Sequence, residues 1–336
     1  MYDLKKKNPI IFKDQKIYHA VDKINKSKIK TLFVVDKKNK LLGSISSGDI
    51  RRSITNKIDS NQNVQQIMFK KPKYFLKKQK IKISNDLICI PIVNKKKQII
   101  DFQYNQIVTK EKKNTVFLMA GGKGKRLLPL TKKTPKPLLK IKGVPIIEKI
   151  ILNFKKQGFK NFLISVNYLG HKIKKYLGDG KKLKVNISYI DEKKYLGTAG
   201  SLSLINLNKS IFPIIVTNSD LISEIDYYNL ILYHTTKNSE LTICAKNKIF
   251  QMPYGEIFQI NEKVRNIIEK PTIHHLVNAG VYVINKSILK NLEKNEKLMM
   301  NVLINRQLKK NKKVYSYPVY ENWIDIGNKT DFYNYR

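Results

Sequence analysis

From Phe117 to Leu139 the chain reads FLMAGGKGKRLLPLTKKTPKPLL, with glycines, cations and three prolines directly after an apolar run. Glycine lets a backbone approach a ligand closely and line a concave surface with N–H groups, and the neighbouring lysines and Arg126 select a negative ligand. Phosphate is the group that fits. The spacing excludes the two commonest phosphate loops. A Walker loop needs G-x-x-x-x-G-K-[ST], and Gly122 and Gly124 lack those partners. A dinucleotide turn needs a third glycine, and Gly122-Lys123-Gly124 runs on into Arg126 and Leu127 without one.

The surrounding elements decide where this stretch can point. TVFLM (115–119) reads as a strand, and PIIEKIILNFKKQG (145–158) has helical spacing and ends on glycine. KNFLISVN is a strand, GHKIKKYLGD a short helix, VNISYI a strand and FPIIVTNSD another. Strands alternating with amphipathic helices predict an α/β domain with a Rossmann-like, mostly parallel sheet covered on both faces. Ligands of such sheets bind beyond the carboxyl ends of the strands. The glycine-rich stretch follows the first strand and Asp220 follows a later one, so both can face one crevice.

At 336 residues the chain is long enough for two domains, and 42% hydrophobic content belongs to a folded protein. Two cysteines, Cys89 and Cys244, make neither a disulfide framework nor a thiolate zinc site, which points to a reducing cytoplasm. MYDLKKKNPIIFKDQK carries no signal-peptide apolar region, and no run approaches the ~18 apolar residues of a membrane helix. The formal charge of +41 suggests nucleic acid. Only six of the 66 basic residues are arginine, however, and the lysines are spread along the whole chain among Ile, Asn, Tyr and Phe. That pattern reads as compositional bias and a solvated lysine surface, with no specific nucleic-acid partner.

A repeat precedes the α/β pattern. FVVDKKNKLLGSISSGDI (33–50) aligns with PIVNKKKQIIDFQYNQI (91–107) at an offset of 58, each reading as strand, charged turn, strand. The continuation GSISSGDI resembles the G-x-x-[ST]-x-x-D pattern of CBS domains, which occur as α+β pairs. The resemblance implies that Ser46 and Asp49 can contact the ribose and phosphates of an adenosine nucleotide. In the second copy Asp101, Tyr104 and Ile107 stand at the positions of Gly43, Ser46 and Asp49, so at most one site is expected. Packing or assembly is the alternative role. The expected organisation is a CBS pair at 1–110 (first copy 1–56, degenerate second copy 57–110), a lysine-rich linker at 111–114 within VTKEKKN (108–114), and the α/β domain at 115–336.

The opening stretch is very similar to the signature of sugar-1-phosphate nucleotidyltransferases, AGG-x-G-[TS]-R-L-x-P-L-T followed by PKP-[LM], with Lys125 where the family has Thr or Ser. YLGTAGSL (195–202), VTNSDLI (216–222), YGEI (254–257), IEKP (268–271), NAGVYV (278–283) and WIDIGN (323–328) recur in family order. The resemblance implies that Leu118, Ala120, Gly121, Gly122, Gly124, Thr198 and Gly200 bind the nucleotide, and that Gly255, Glu269, Lys270 and Asn278 bind the sugar phosphate. It makes Arg126 and Lys136 the phosphate cations, and Asp220 and Asp325 the ligands of Mg²⁺. No left-handed β-helix acyltransferase domain is expected after WIDIGN.

The implied reaction is attack by a sugar 1-phosphate oxygen on the α-phosphorus of an NTP, expelling pyrophosphate. Such chemistry rests on positioning and charge stabilisation. A CBS pair on this catalytic domain resembles guanylyltransferases of bacterial surface-glycan and nonulosonic acid pathways, which favours GTP and a homo-oligomer. A uridylyl- or thymidylyltransferase of the same fold, a basic nucleic-acid binder and a regulatory NDP-sugar-binding protein are the competing readings. Each carboxylate also has a plain alternative: Asp220 as a helix N-cap and Asp325 as a turn residue.

Overall fold

A computed structural model of the chain describes residues 8–27, 29–77, 89–104 and 111–335. It divides into two compact units, Met1–Val108 and Thr109–Arg336.

In the first unit β1 (Ile10–Phe12), α1 (Ile17–Lys26), β2 (Thr31–Val35), β3 (Leu41–Ser46) and α2 (Ser47–Thr55) precede β4 (Phe75–Leu76), β5 (Cys89–Val93) and β6 (Ile99–Tyr104). The repeat seen in sequence is a repeat in three dimensions. Thr31 pairs with Ser46 and Val35 with Leu41; at the offset of 58, Cys89 pairs with Tyr104 and Val93 with Ile99, and both ladders shift register at the same place. Asp36 accepts from the amides of Lys38 and Lys40, and Asn94 does the same for Lys96 and Gln98. The equivalent turn residues Asn39 and Lys97 both adopt positive φ, 60° and 59°. The turns also bind one another reciprocally: Leu41 N–H donates to Lys97 O (2.9 Å) and Ile99 N–H to Asn39 O (3.0 Å). Val35, Leu41, Val93 and Ile99 fill the seam between the hairpins. Of the second copy's expected substitutions, Asp101 and Tyr104 lie in β6, whereas Ile107 lies outside the described residues.

The second unit opens on β7 (Lys112–Ala120), followed by β8 (Lys140–Ile141), β9 (Val144–Pro145), α3 (Ile146–Lys156), β10 (Phe159–Val166), α4 (Gly170–Leu177), β11 (Asn186–Asp191), β12 (Ile214–Asn218), β13 (Leu221–Ser223) and α5 (Tyr227–Thr236). Then come β14 (Leu241–Gln251), β15 (Glu256–Ile260), β16 (Lys263–Ile268), β17 (Thr272–Ile284), α6 (Lys286–Lys290), α7 (Met300–Lys309), β18 (Val314–Val319), β19 (Trp323–Asp325) and α8 (Lys329–Tyr335). The residues expected as a linker at 111–114 need correction. Lys112, Lys113 and Asn114 belong to β7, because the ladder to β10 starts at Lys112 opposite Phe159. A charged strand end carries no apolar period, but its backbone still pairs.

Among the described residues the central sheet has the order β11-β10-β7-β12-β17-β14-β18. Only β17 runs against its neighbours, so the sheet is mostly parallel, as expected. Alternate residues of β7 enter opposite cores. Val116 and Leu118 pack with Ile147, Ile151, Phe154 and Leu230 of α3 and α5, whereas Phe117 packs with Ile288, Leu289 and Leu303 of α6 and α7. This period-2 burial on both faces fixes the register of the strand that carries the glycine-rich stretch.

His234 of α5 is buried, with Nδ1 2.8 Å from Thr242 Oγ1 and Nε2 3.2 Å from Asn285 Oδ1. Burial holds its imidazole below the usual value of 6.5, with the Asn285 contact opposing. The unfolded chain therefore binds a proton that the folded one resists, so this contribution to stability is complete above about pH 6.5 and lost as pH falls below it. Unfolding free energies from urea titrations between about pH 8 and about pH 5 are expected to decline more steeply with falling pH in the wild type than in His234→Gln, by up to roughly 1.4 kcal/mol per pH unit. Parallel profiles would remove His234 as the cause.

Candidate functional site

Three neighbouring parallel strands end side by side. Met119 of β7 lies opposite Ser165 of β10 and opposite Asn218 of β12, and the chain beyond these residues encloses a cavity of about 330 Å³. One wall is the glycine-rich stretch, Gly121–Leu127. A second is built from Ser165, Glu192, Tyr195, Gly197 and Thr198, and a third from Lys136, Asn218, Ser219, Asp220 and Gly327. The cavity sits at the carboxyl end of the sheet, where doubly wound folds bind ligands.

Local chemistry shapes the first wall. Gly124 has φ +62°, and a Cβ there would lie 2.9 Å from Thr131 Cγ2 and 3.2 Å from Lys136 Cβ. Thr131 donates its hydroxyl to Gly124 O, and the Tyr168 hydroxyl donates to the carbonyls of Thr131 and Lys132. The loop is thereby tied to the segment after β10, with Lys123, Lys125 and Arg126 exposed. Arg126 is exposed at the cavity, and Lys123 and Lys125 flank it. Gly122 has open space where a Cβ would be, so bulk there would intrude only on whatever occupies the cavity.

The two candidate carboxylates are brought together by a short antiparallel pair. Leu221 of β13 lies opposite Asp325 of β19, and Ile326 N–H donates to Asp220 O. Lys136 forms an ion pair with Asp220 Oδ2, while Asp220 Oδ1 is buried with no hydrogen-bond partner. The Asp325 carboxyl is pushed above its usual range, first by burial and next by the charge of Asp220, with Lys136 and Arg126 opposing. Arg126, Lys136, Asp220 and Asp325 thus share one electrostatic neighbourhood. Among the described residues no three His, Cys, Asp or Glu side chains form a self-sufficient metal cage. Two carboxylates with one orphaned oxygen fit a hard cation that completes its shell with oxygens of a bound nucleotide.

The remaining expected residues divide. Ala120, Gly121, Gly122, Gly124 and Thr198 line the cavity. Leu118 does not, being fully buried in the core under α3, and Gly200 faces elsewhere, where a Cβ would come within 2.3 Å of Glu296 O. Gly255 and Glu269 meet each other at the ends of the β15–β16 hairpin, where a Gly255 Cβ would lie 3.1 Å from Glu269 Oε2, and Lys270 follows with φ 46°. Asn278 is exposed on β17, its Oδ1 accepting from Gly280 N–H. None of these four lines the cavity. In the first unit Ser46 and Asp49 form a capping box at the start of α2, and Arg52 pairs with Asp49.

Sequence reasoning missed Glu192, Ser165, Asn218 and Ser219. Glu192 sits in DEKK, which reads as an exposed charge run, yet it is only 5% exposed. Burial raises its carboxyl above the usual range, with the Leu196 N–H and the Ser165 hydroxyl opposing.

Comparison with known proteins agrees with this geometry. The family model described as Nucleotidyl transferase matches residues 115–336, and that described as CBS domain matches residues 2–56. The mannose-1-phosphate guanylyltransferase catalytic subunit beta of Drosophila melanogaster is 31% identical over 64% of this chain and 60% of that protein. The mannose-1-phosphate guanyltransferase of Pichia angusta is 33% identical over 64% of this chain and 61% of that protein. The chain therefore spans about three fifths of the length of these relatives. The crystal structure of HddC from Yersinia pseudotuberculosis complexed with GMP-PN shares the fold, with a TM-score of 0.54 and 24% identity over 66% of this chain and 97% of that one. With the family match covering the whole second unit from Thr115 and the glycine-rich wall, both cations and both carboxylates inside it, this chain belongs to the nucleotidyl transferase family.

Proposed function

We propose that the chain is a sugar-1-phosphate guanylyltransferase, joining GMP from GTP to the phosphate of a sugar 1-phosphate and releasing pyrophosphate. The observation that carries this reading is the convergence of Arg126, Lys136, Asp220 and Asp325 beside a glycine-rich loop at the carboxyl end of the sheet. Those groups suit a reaction in which negative charge gathers on phosphate oxygens and no protein nucleophile is needed. The guanine base follows the relatives named mannose-1-phosphate guanylyltransferases and the GMP-PN complex of HddC.

In this reading the backbone of Gly121–Gly124 lies along the nucleotide and Arg126 offers a planar set of donors to the departing pyrophosphate. Lys136, held in place by Asp220, directs its remaining N–H donors to the attacking phosphate. The family generally uses divalent metal ions. Asp220 and Asp325 would hold Mg²⁺, which when bound neutralises phosphate charge. One new P–O bond forms at the α-phosphorus as the bond to the β-phosphate oxygen breaks. Gly255, Glu269, Lys270 and Asn278 are assigned to the sugar phosphate side. For the first unit, packing and assembly are proposed over nucleotide sensing, because Ser46 and Asp49 satisfy each other and the second copy carries Asp101 and Tyr104.

The test is a pyrophosphate-release screen of four NTPs against a panel of sugar 1-phosphates with Mg²⁺. GTP with a hexose or hexosamine 1-phosphate is expected to give the highest turnover. Equal or greater turnover with UTP or dTTP would replace the guanylyl reading, and no turnover with any pair would remove the catalytic one.

A further inference from the structure

We propose that the arm between Asn247 and Val277 is the surface through which two copies of this chain dimerise, and that the contact holds the sugar side of the site in place. β14 and β17 pair from Leu241 opposite Ile284 out to Gln251 opposite Thr272. β18 accompanies β14 only as far as Lys246, and β12 accompanies β17 only from Val281 onward. The outer halves therefore form a two-stranded ribbon, and β15–β16 is a second two-stranded sheet between them in sequence. No residue from Lys246 to Asn278 is buried.

Two-stranded ribbons are marginal in water without a further layer. This arm is also apolar. Ten of the 28 exposed large apolar side chains among the described residues lie between Ile249 and Leu276. Ile257 and Ile267 are direct cross-strand partners, 57% and 60% exposed, and share one face of β15–β16, while Phe258 and Ile268 open onto the other. The ten are 42% to 74% exposed and together leave on the order of 1,000 Å² open, against the roughly 800 Å² that each partner brings to a stable interface.

Charge selects the occupant. The chain carries +41, yet Ile249–Leu276 holds three basic residues, Lys263, Arg265 and Lys270, against three acidic ones, Glu256, Glu262 and Glu269. Two copies meeting at a lysine-rich surface repel each other, whereas here they meet with no net charge. Nucleic acid, an acidic protein or an anionic membrane would be drawn to the lysine surface and away from this arm. A neutral apolar patch is complementary to itself, which is what a two-fold contact requires.

The arm also carries residues of the site. Gly255 and Glu269 stand at the two ends of β15–β16, Lys270 follows, and Asn278 lies on β17 at the foot of the ribbon. A contact that fixes the arm fixes all four. This half of the proposal rests on their assignment to the sugar phosphate above; the interface does not.

The experiment is sedimentation velocity of the full chain from about 1 to about 100 μM in about 0.15 M salt, with circular dichroism of every variant. Wild type is expected to reach a mass near twice 39.2 kDa. Ile257→Lys combined with Ile267→Lys is expected to remain a monomer throughout, its dimer dissociation constant raised at least about 100-fold. Leu152→Lys combined with Leu232→Lys puts the same charges on exposed positions of α3 and α5 and is expected to leave the dimer intact. In turnover assays the arm variant is expected to raise the KM for sugar 1-phosphate about 10-fold, with that for GTP within about twofold of wild type. If its dichroism departs from wild type, Val264→Lys, also exposed on the arm, takes its place in both measurements. A wild type that stays at 39.2 kDa overturns the proposal, whatever else covers the arm. So does a dimer that survives the arm substitutions, or one that the α3 and α5 substitutions dissociate equally. A monomeric arm variant with an unchanged KM for sugar 1-phosphate removes the coupling and leaves the interface. Absence of turnover with every pair in the screen above removes the guanylyl reading without altering the mass measurement.

Discussion

Replacing Asp325 by asparagine is expected to cut pyrophosphate release about 10³-fold while leaving the melting temperature unchanged or raised, and Asp220→Asn is expected to cut it as far with the fold intact but a lower melting temperature. Groups that stabilise developing phosphate charge typically contribute factors of about 10² to 10³ each, and here two of them act on one centre. The stability half of the expectation comes from the geometry of the pair. Asp220 and Asp325 are partly buried side by side, burial and the charge of Asp220 raise the cost of charging Asp325, and Asp220 Oδ1 has no partner. Asparagine at position 325 removes one of two like charges from a desolvated site and keeps the shape, so folding loses little, whereas at position 220 it also takes the partner from the buried Lys136 ammonium and lowers stability. Turnover and thermal melts of the two variants decide the matter. Activity within a few-fold of wild type in either would take that carboxylate out of the reaction centre. A melting temperature well below wild type in Asp325→Asn would show a structural role for that carboxylate instead.

Phe154→Ala is expected to be the most destabilising single change in the second unit, at about 3–5 kcal/mol. Phe154 of α3 is fully buried and stacks on Tyr227 with ring centroids 3.9 Å apart, and Phe159 and Phe162 meet it edge-on at 5.7 and 6.2 Å. Removing the ring opens a void among groups fixed by other constraints, since Tyr227 is tied through its hydroxyl to Ser223 and through its N–H to Gln157. The surroundings cannot collapse into such a void, which places the cost at the upper part of the range. A fall in melting temperature of roughly 10 °C is the expected readout for a unit of this size. Phe154→Leu should recover more than half of it. A shift no larger than that of an exposed substitution on α3 would show that the aromatic cluster does not hold α3 and α5 to the sheet.

What the sequence showed and what it hid follow from the range of the interactions involved. The strand–helix alternation after Thr115 is a local pattern, so the mostly parallel sheet could be read from it. The offset of 58 was legible because both hairpins spend the same turn chemistry, Asp36 and Asn94, on the same backbone groups. The cluster of Arg126, Lys136, Asp220 and Asp325 was legible through motifs, but its assembly was not. Asp325 reaches Asp220 only because β19 pairs with β13, three residues each, a contact 105 residues apart in the chain by their numbering. Glu192 was hidden for the opposite reason: its neighbours Lys193 and Lys194 are exposed and mask one inward side chain. Gly200 shows how a glycine in a ligand motif can answer to packing, since its missing side chain makes room for the Glu296 carbonyl. The start of β7 at Lys112 was hidden because a strand end that pairs only through its backbone leaves no pattern in side-chain hydrophobicity.

The reciprocal bonds between the two turns of the first unit have a consequence for how such a segment can change as a gene. A duplicated stretch usually yields two copies that drift independently, each tolerating insertions at its own loop tip. Here the tips are the joint. Leu41 bonds to Lys97 and Ile99 to Asn39, so a residue inserted into either turn withdraws partners from both hairpins at once. Side chains facing away from that joint carry no such coupling, and the copies already differ there, with Gly43 against Asp101 and Ser46 against Tyr104. The unit of duplication is therefore half of what folds: a crossover placed between the copies would separate two sequences that resemble each other and leave each without the other's turn.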